Sequence, residues 1–121
     1  MKESILRTKS FKFAVRIVNL YKHLCSENKE FVLSKQILRS GTSTGAMIRE
    51  AEHSESKADF IHKLAIAQKE INETIYWLEL LHATGYISEK EFKSINNDTV
   101  EIIKMITSSI KTAKKSLTTN H

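Results

Sequence analysis

Two Glu-x-x-His pairs, Glu50 with His53 and Glu79 with His82, come nearest in this chain to the spacing of a metal site. On helices, two such pairs facing each other, with a further inward glutamate from each remaining helix, hold a dinuclear iron centre. Both pairs here lie near the C-terminal ends of consecutive helical segments. Short connections make such segments antiparallel, so the pairs fall at opposite ends of a bundle, on the order of 30 Å apart. The first helical segment also has no acid in its interior. No metal site is expected.

Other reactive side chains are equally isolated. Cys25 adjoins Leu24 on an apolar helix side, with no base to activate it, and reads as a buried thiol. A single cysteine forms no internal disulfide, which suits a reducing compartment. His23 and His62 have no spaced partner. Glu70 and Glu73 are three apart, yet no histidine or serine beside them supplies a second catalytic role. Tyr76 and Trp77 read as core or subunit-contact residues rather than a base-stacking platform. With no nucleophile–base pair, no catalytic residue and no cofactor are expected, and the chain reads as a non-enzyme.

The stretch "ILRSGTSTGAMIREAE" holds two of the three glycines of a chain without proline. A phosphate-cradling loop needs a preceding strand and a lysine after its second glycine. Here "STGAMI" has no lysine, and "SKQILR" reads as helix. Inside a helix each glycine costs about 1 kcal/mol relative to alanine, so something should offset the pair. Gly41 and Gly45 are four apart and share one side, bordered by Thr44 and Ile48. They are expected to let a neighbouring backbone come close. Ser40, Thr42 and Ser43 are expected to return their hydroxyls to carbonyls one turn back. Arg39, Ser43 and Glu50 mark a different, polar side.

The elements that position these residues are four helices. Phe13, Ile17, Leu20, Tyr21 and Leu24 repeat at helical spacing over about 4–27. A second helix, about 34–53, carries Ile37, Leu38, Ile48 and Ala51, with Ser34 as its expected N-cap. The third, about 56–84, starts at a Ser56–Asp59 capping box. One face holds Ile61, Leu64, Gln68, Ile71, Ile75, Leu78 and His82, with Phe60, Ala67, Thr74 and Leu81 beside it. It should close at Gly85, with Tyr86 folding back onto Leu81. Ser88 and Glu91 form the next capping box, with Ile87 and Phe92 as a hydrophobic staple. Over about 88–116, Phe92, Ile95, Thr99, Ile102, Ile106 and Ala113 form one stripe. Ile103, Ile110 and Leu117 form a second, which would bury that helix on two sides; "SLTTNH" should fray. The expected fold is all-α, one up-down-up-down antiparallel four-helix-bundle domain over 1–121.

Charge is segregated beneath a net +5. Lys2, Arg7, Lys9, Lys12, Arg16 and Lys22 face Glu3 alone in the first 22 residues. Lys104, Lys111, Lys114 and Lys115 follow Glu101 without an acid, while acids predominate between Glu50 and Glu91. Positive ends and a negative middle suit an anionic polymer, the surface of a second copy, or merely solvated helix faces. No apolar run approaches a membrane span. The start "MKESILRTKSFKF" lacks the apolar core of a secretory signal. The apolar side of the first helix is needed by the core, so membrane binding is not expected. A cytoplasmic location is.

"LRSGTSTGAMIREAEHSESKADFIHKLAIAQKEINETIYWLELL", Leu38 to Leu81, closely resembles the bacterial four-helix-bundle proteins called 23S rRNA intervening-sequence proteins. The glycines, the hydroxyl residues, "REA", "SKADFIHKL" and "YWLELL" occur in the family's order and spacing. The resemblance implies a homo-oligomer, typically a pentameric ring, whose biochemical role is unsettled. A similar bundle occurs in the accessory variability determinants of diversity-generating retroelements, which are implicated in nucleic-acid binding. Thr44 stands where the family usually has an aliphatic residue, and Met47 where it has asparagine. Only the close-packing role of Gly41 and Gly45 is therefore carried over. Joined to the charge pattern, the resemblance makes RNA or DNA an expected partner, held by Lys9, Lys12, Arg16 and Arg39. The competing expectation is an assembly scaffold that binds no nucleic acid.

Overall fold

The computed structural model describes residues 2–119, with side chains described over 5–118. Its helices are α1 (Lys2–Ser26), α2 (Leu33–Ala51), α3 (Lys57–Ala83) and α4 (Glu89–Thr119). The fourth does not fray at residue 116 but continues to Thr119; Asn120 and His121 lie outside the described residues.

Contacts between neighbouring helices run in opposite directions along each pair. Ser10 and Ile17 of α1 meet Gly45 and Gly41 of α2. Arg39 and Glu50 of α2 reach Glu70 and Lys63 of α3. Lys57 and Gln68 of α3 reach Ser116 and Thr107 of α4. Lys9 and Arg16 of α1 reach Glu101 and Asp98 of α4. Each helix thus packs on two antiparallel neighbours, and the all-α fold is a four-helix bundle.

The core is a column of Phe13, Ile17, Leu24, Ile37, Leu64, Ile71, Leu78, Leu81, Ile102 and Ile106, all almost fully buried. On α3 the buried line is Leu64, Ala67, Ile71, Thr74, Leu78 and Leu81. It runs between the two rows the periodicity suggests, because α2 and α4 flank this helix unequally. Gln68 and His82 sit at its edge, where Gln68 Nε2 donates to Thr107 Oγ1 at 3.0 Å. On α4 the second stripe is buried only in part: Ile103 packs against the core and Ile110 belongs to it, but Leu117 is 43% exposed, next to Ser116, which Lys57 at the start of α3 reaches.

The helix ends show which signals were local. Glu91 N donates to Ser88 Oγ at 3.1 Å and Ser88 N to Glu91 Oε1 at 3.0 Å, a reciprocal capping box. At α3, Asp59 N donates to Ser56 Oγ at 3.0 Å. Asp59 does not complete the box, however; its carboxylate accepts from Glu55 N at 3.2 Å instead. Its side chain is one methylene shorter than that of glutamate.

Helix α3 closes as a Schellman motif, with Tyr86 N donating to Leu81 O at 2.9 Å and Gly85 N to His82 O at 3.1 Å. Gly85 has φ +85°, and a Cβ there would meet nothing within 4 Å. A Gly85→Ala change therefore carries only the backbone cost of the left-handed conformation. We expect a loss of about 1 kcal/mol in urea unfolding, with an unchanged slope.

Ser34 is not the N-cap of α2. It lies inside the helix, and its hydroxyl donates to Glu30 O at 2.8 Å. Val32 occupies the cap position without a side-chain cap. Glu30 caps from outside, accepting from the backbone N–H groups of Val32, Leu33 and Ser34 at 3.2, 3.0 and 2.7 Å. One carboxylate thereby satisfies three of the four free donors of this helix start.

Candidate nucleic-acid interface

The four cations singled out in the sequence occupy two different sides of the bundle. Lys9, Lys12 and Arg16 lie on α1 toward α4. Lys9 pairs with Glu101, and Arg16 Nη1 donates to Asp98 Oδ2 at 2.9 Å while Nη2 donates to Ser94 Oγ at 3.1 Å. Lys12 is exposed and has no carboxylate partner among the described residues.

Arg39 lies on the side of α2 that faces α3, across the bundle from the α1–α4 seam. Nη1 donates to Glu70 Oε2 at 3.3 Å and Nη2 to Glu73 Oε2. Trp77 Nε1 donates to the same Glu73 oxygen at 3.0 Å. The indole N–H first, and then the guanidinium, hold the Glu73 carboxyl below its ordinary value against the opposing pull of partial burial. Glu70 and Glu73 therefore serve as a clamp for a cation of their own chain. Tyr76 meets Trp77 edge to face at 5.0 Å between ring centroids.

Lysines without a carboxylate partner continue onto α4, where Lys104 lines a hollow shared with Ile5 and Leu6 of α1. Lys104 and Lys111 are two turns apart on the exposed side of α4 and form no ion pair among the described residues. Exposed ion pairs such as Lys9–Glu101 and Arg16–Asp98 are worth about 0–1 kcal/mol. A phosphate could exchange for either carboxylate at small cost.

Gly41 and Gly45 face α1 and are buried. They are not equivalent. A Cβ on Gly41 would come within 2.8 Å of both Cγ atoms of Ile17, whereas one on Gly45 would lie 3.4 Å from the Ser10 carbonyl oxygen, an ordinary contact. The neighbouring hydroxyls divide their tasks. Thr42, Ser43 and Thr44 each donate to the carbonyl four residues back. Ser40 instead lies hydroxyl to hydroxyl with Thr74 of α3 at 2.9 Å. Both are buried, so this is a polar link between two helices within the core.

The side chains with chemistry of their own stay apart. Glu50 binds Lys63 at 3.1 Å, and His82 Nε2 lies 3.1 Å from Glu89 at the other end of the bundle. Cys25 is half-buried, 3.7 Å from Ser34 Oγ. No group of three His, Cys, Asp or Glu side chains comes together among the described residues. No helix among them is long and apolar enough to cross a membrane.

Among solved structures, the chain is similar to a protein of unknown function from the S23 ribosomal protein family of Bacteroides thetaiotaomicron VPI-5482. The two share 64% identity with a TM-score of 0.90, covering 92% of this chain and 99% of that one. No curated protein matches. The model of the 23S rRNA-intervening sequence proteins matches residues 2–108, which takes in all of α1, α2 and α3 and most of α4. With the bundle and its order of helices in place, the chain belongs to the 23S rRNA-intervening sequence protein family.

Proposed function

We propose that the protein is a non-enzymatic, homo-oligomeric helical bundle of the cytoplasm that binds RNA or another nucleic acid through phosphate contacts on its α1–α4 side. The observation that carries this reading is the surplus of cation there. Lys12 and Lys104 have no carboxylate partner among the described residues, and Lys9 and Arg16 are held only by exposed ones. Such contacts position a ligand without reading its bases, so binding is weakly sequence-specific. Arg39, clamped by Glu70 and Glu73 on the far side, takes no part.

Self-association is supported by a separate feature. Phe11 and Val15, one turn apart on the outward side of α1, are 54% and 45% exposed. Arg49 of α2 stands over the Phe11 ring, 5.2 Å from its centroid. An apolar row bordered by a stacked guanidinium suits burial against a second copy. The resemblance to pentameric relatives suggests five copies.

Light scattering combined with fluorescence anisotropy of a labelled, structured RNA across a salt series tests both parts. We expect a defined oligomer whose RNA affinity falls steeply with salt. Lys12→Glu with Lys104→Glu should flatten the log–log salt slope by about 1–2. Arg39→Gln should leave that slope unchanged. An oligomer that takes up no RNA at low salt would leave the assembly scaffold as the correct reading.

A further inference from the structure

At the end of the bundle where α2 finishes and α3 begins, a cleft of about 740 Å³ opens between α1 and α4. That volume falls in the range of small-molecule sites. Its floor is apolar and comes from every helix: Leu6, Ile48, Ala51, Leu64 and Ala113 are buried core residues. The cleft is long as well as deep. Its α4 wall runs from Lys104 to Ser116, roughly 18 Å at helical rise. That wall offers the hydroxyls of Ser108, Ser109 and Thr112.

The charges around the cleft are unbalanced. Among the described residues, Glu52 is its single lining carboxylate and lies 3.7 Å from Arg7 Nε. Lys57 Nζ donates to Ser116 Oγ. Lys104 stands at the rim with no carboxylate partner among the described residues. A compact polar metabolite would leave its groups unsatisfied against the floor. A neutral or cationic chain would leave Lys104 unmatched.

We infer that this cleft binds a single-chain amphiphilic anion, an alkyl carboxylate whose chain lies along the apolar floor and whose head group meets Lys104. The site shares Lys104 with the phosphate-binding reading but is distinguished from it by requiring the apolar floor as well. Ile5, 52% exposed, and Met105 stand beside the cleft, placed to cover a bound chain.

The probe is dodecanoate, titrated into the full chain below its micelle concentration and followed by calorimetry. We expect saturable binding of one molecule per chain and none of dodecyltrimethylammonium. Lys104→Glu, at an exposed position, should weaken dodecanoate at least tenfold. Thr112→Trp, also exposed, should abolish binding by filling the cleft, with helix content unchanged by circular dichroism. Absence of saturable binding, equal binding of the cation, or an unchanged affinity in Lys104→Glu would overturn the inference. So would dodecanoate that binds only as the oligomer falls apart in light scattering, since the cleft would then be a contact between copies. RNA binding by the Thr112→Trp variant should persist, which keeps failure of this site distinct from failure of the nucleic-acid reading.

Discussion

Gly41→Ala is expected to destabilise the protein by about 1–2 kcal/mol, while Gly45→Ala is expected to be neutral or to stabilise it by up to about 1 kcal/mol. Both substitutions remove the same helix penalty, about 1 kcal/mol in favour of alanine. They differ in what the new methyl meets. At position 41 it would sit 2.8 Å from two carbons of Ile17, which branches at Cβ and is fully buried. A β-branched side chain in a helix has essentially one χ1 rotamer and cannot turn away. The helices must separate or Ile17 must strain, and such overpacking costs about 1–3 kcal/mol. At position 45 the nearest atom is a carbonyl oxygen at 3.4 Å, so little has to move. Urea unfolding of the two single variants checks this directly. Equal effects of the same sign would show that the close approach of α1 and α2 is not set at Gly41.

Glu30→Ala should cost about 1–2 kcal/mol, at the upper end for a helix cap, because three backbone N–H groups lose their acceptor together. Ser34→Ala should cost less, since its hydroxyl only supplements a helix already begun. The same carboxylate gives the stability a pH dependence. Partial burial pushes the Glu30 carboxyl up, but the N–H donors of Leu33, Ser34 and Val32 together outweigh it and hold the group below its ordinary 4.5. A group depressed on folding contributes stability that is fully present above its unfolded value. That contribution is lost as pH falls through the folded value. Glu73 and Glu91 are depressed in the same direction. Stability should therefore hold level with respect to these groups above pH 5 and decline on acidification below about pH 4.5. In Glu30→Ala the acid-side decline should be shallower. A parallel decline in the variant would remove Glu30 from the account.

What the linear sequence determined is whatever depends on residues within a turn of one another. The Ser88–Glu91 box, the Gly85 closure with Tyr86, and the spacing of Phe13 and Ile17 are all set by neighbours three to five positions apart, and each was readable as such. The capping of α2 shows where local reading slipped. Ser34 and Glu30 both suit a helix start, but the longer glutamate reaches three donors from outside the helix and leaves the serine inside it.

What only the tertiary structure decided is which sides of the helices face one another. Periodicity places Lys9, Arg16 and Arg39 on polar surfaces but carries no phase between helices. The fold sets the first two against Glu101 and Asp98 and the third against Glu70 and Glu73, on opposite sides of the bundle. The same holds for the glycines. Four-residue spacing put them on one side, but the position of Ile17 along α1 made one a tight contact and the other an ordinary one. Register between helices is fixed by the packing of the whole core, to which every residue contributes and which no single segment encodes.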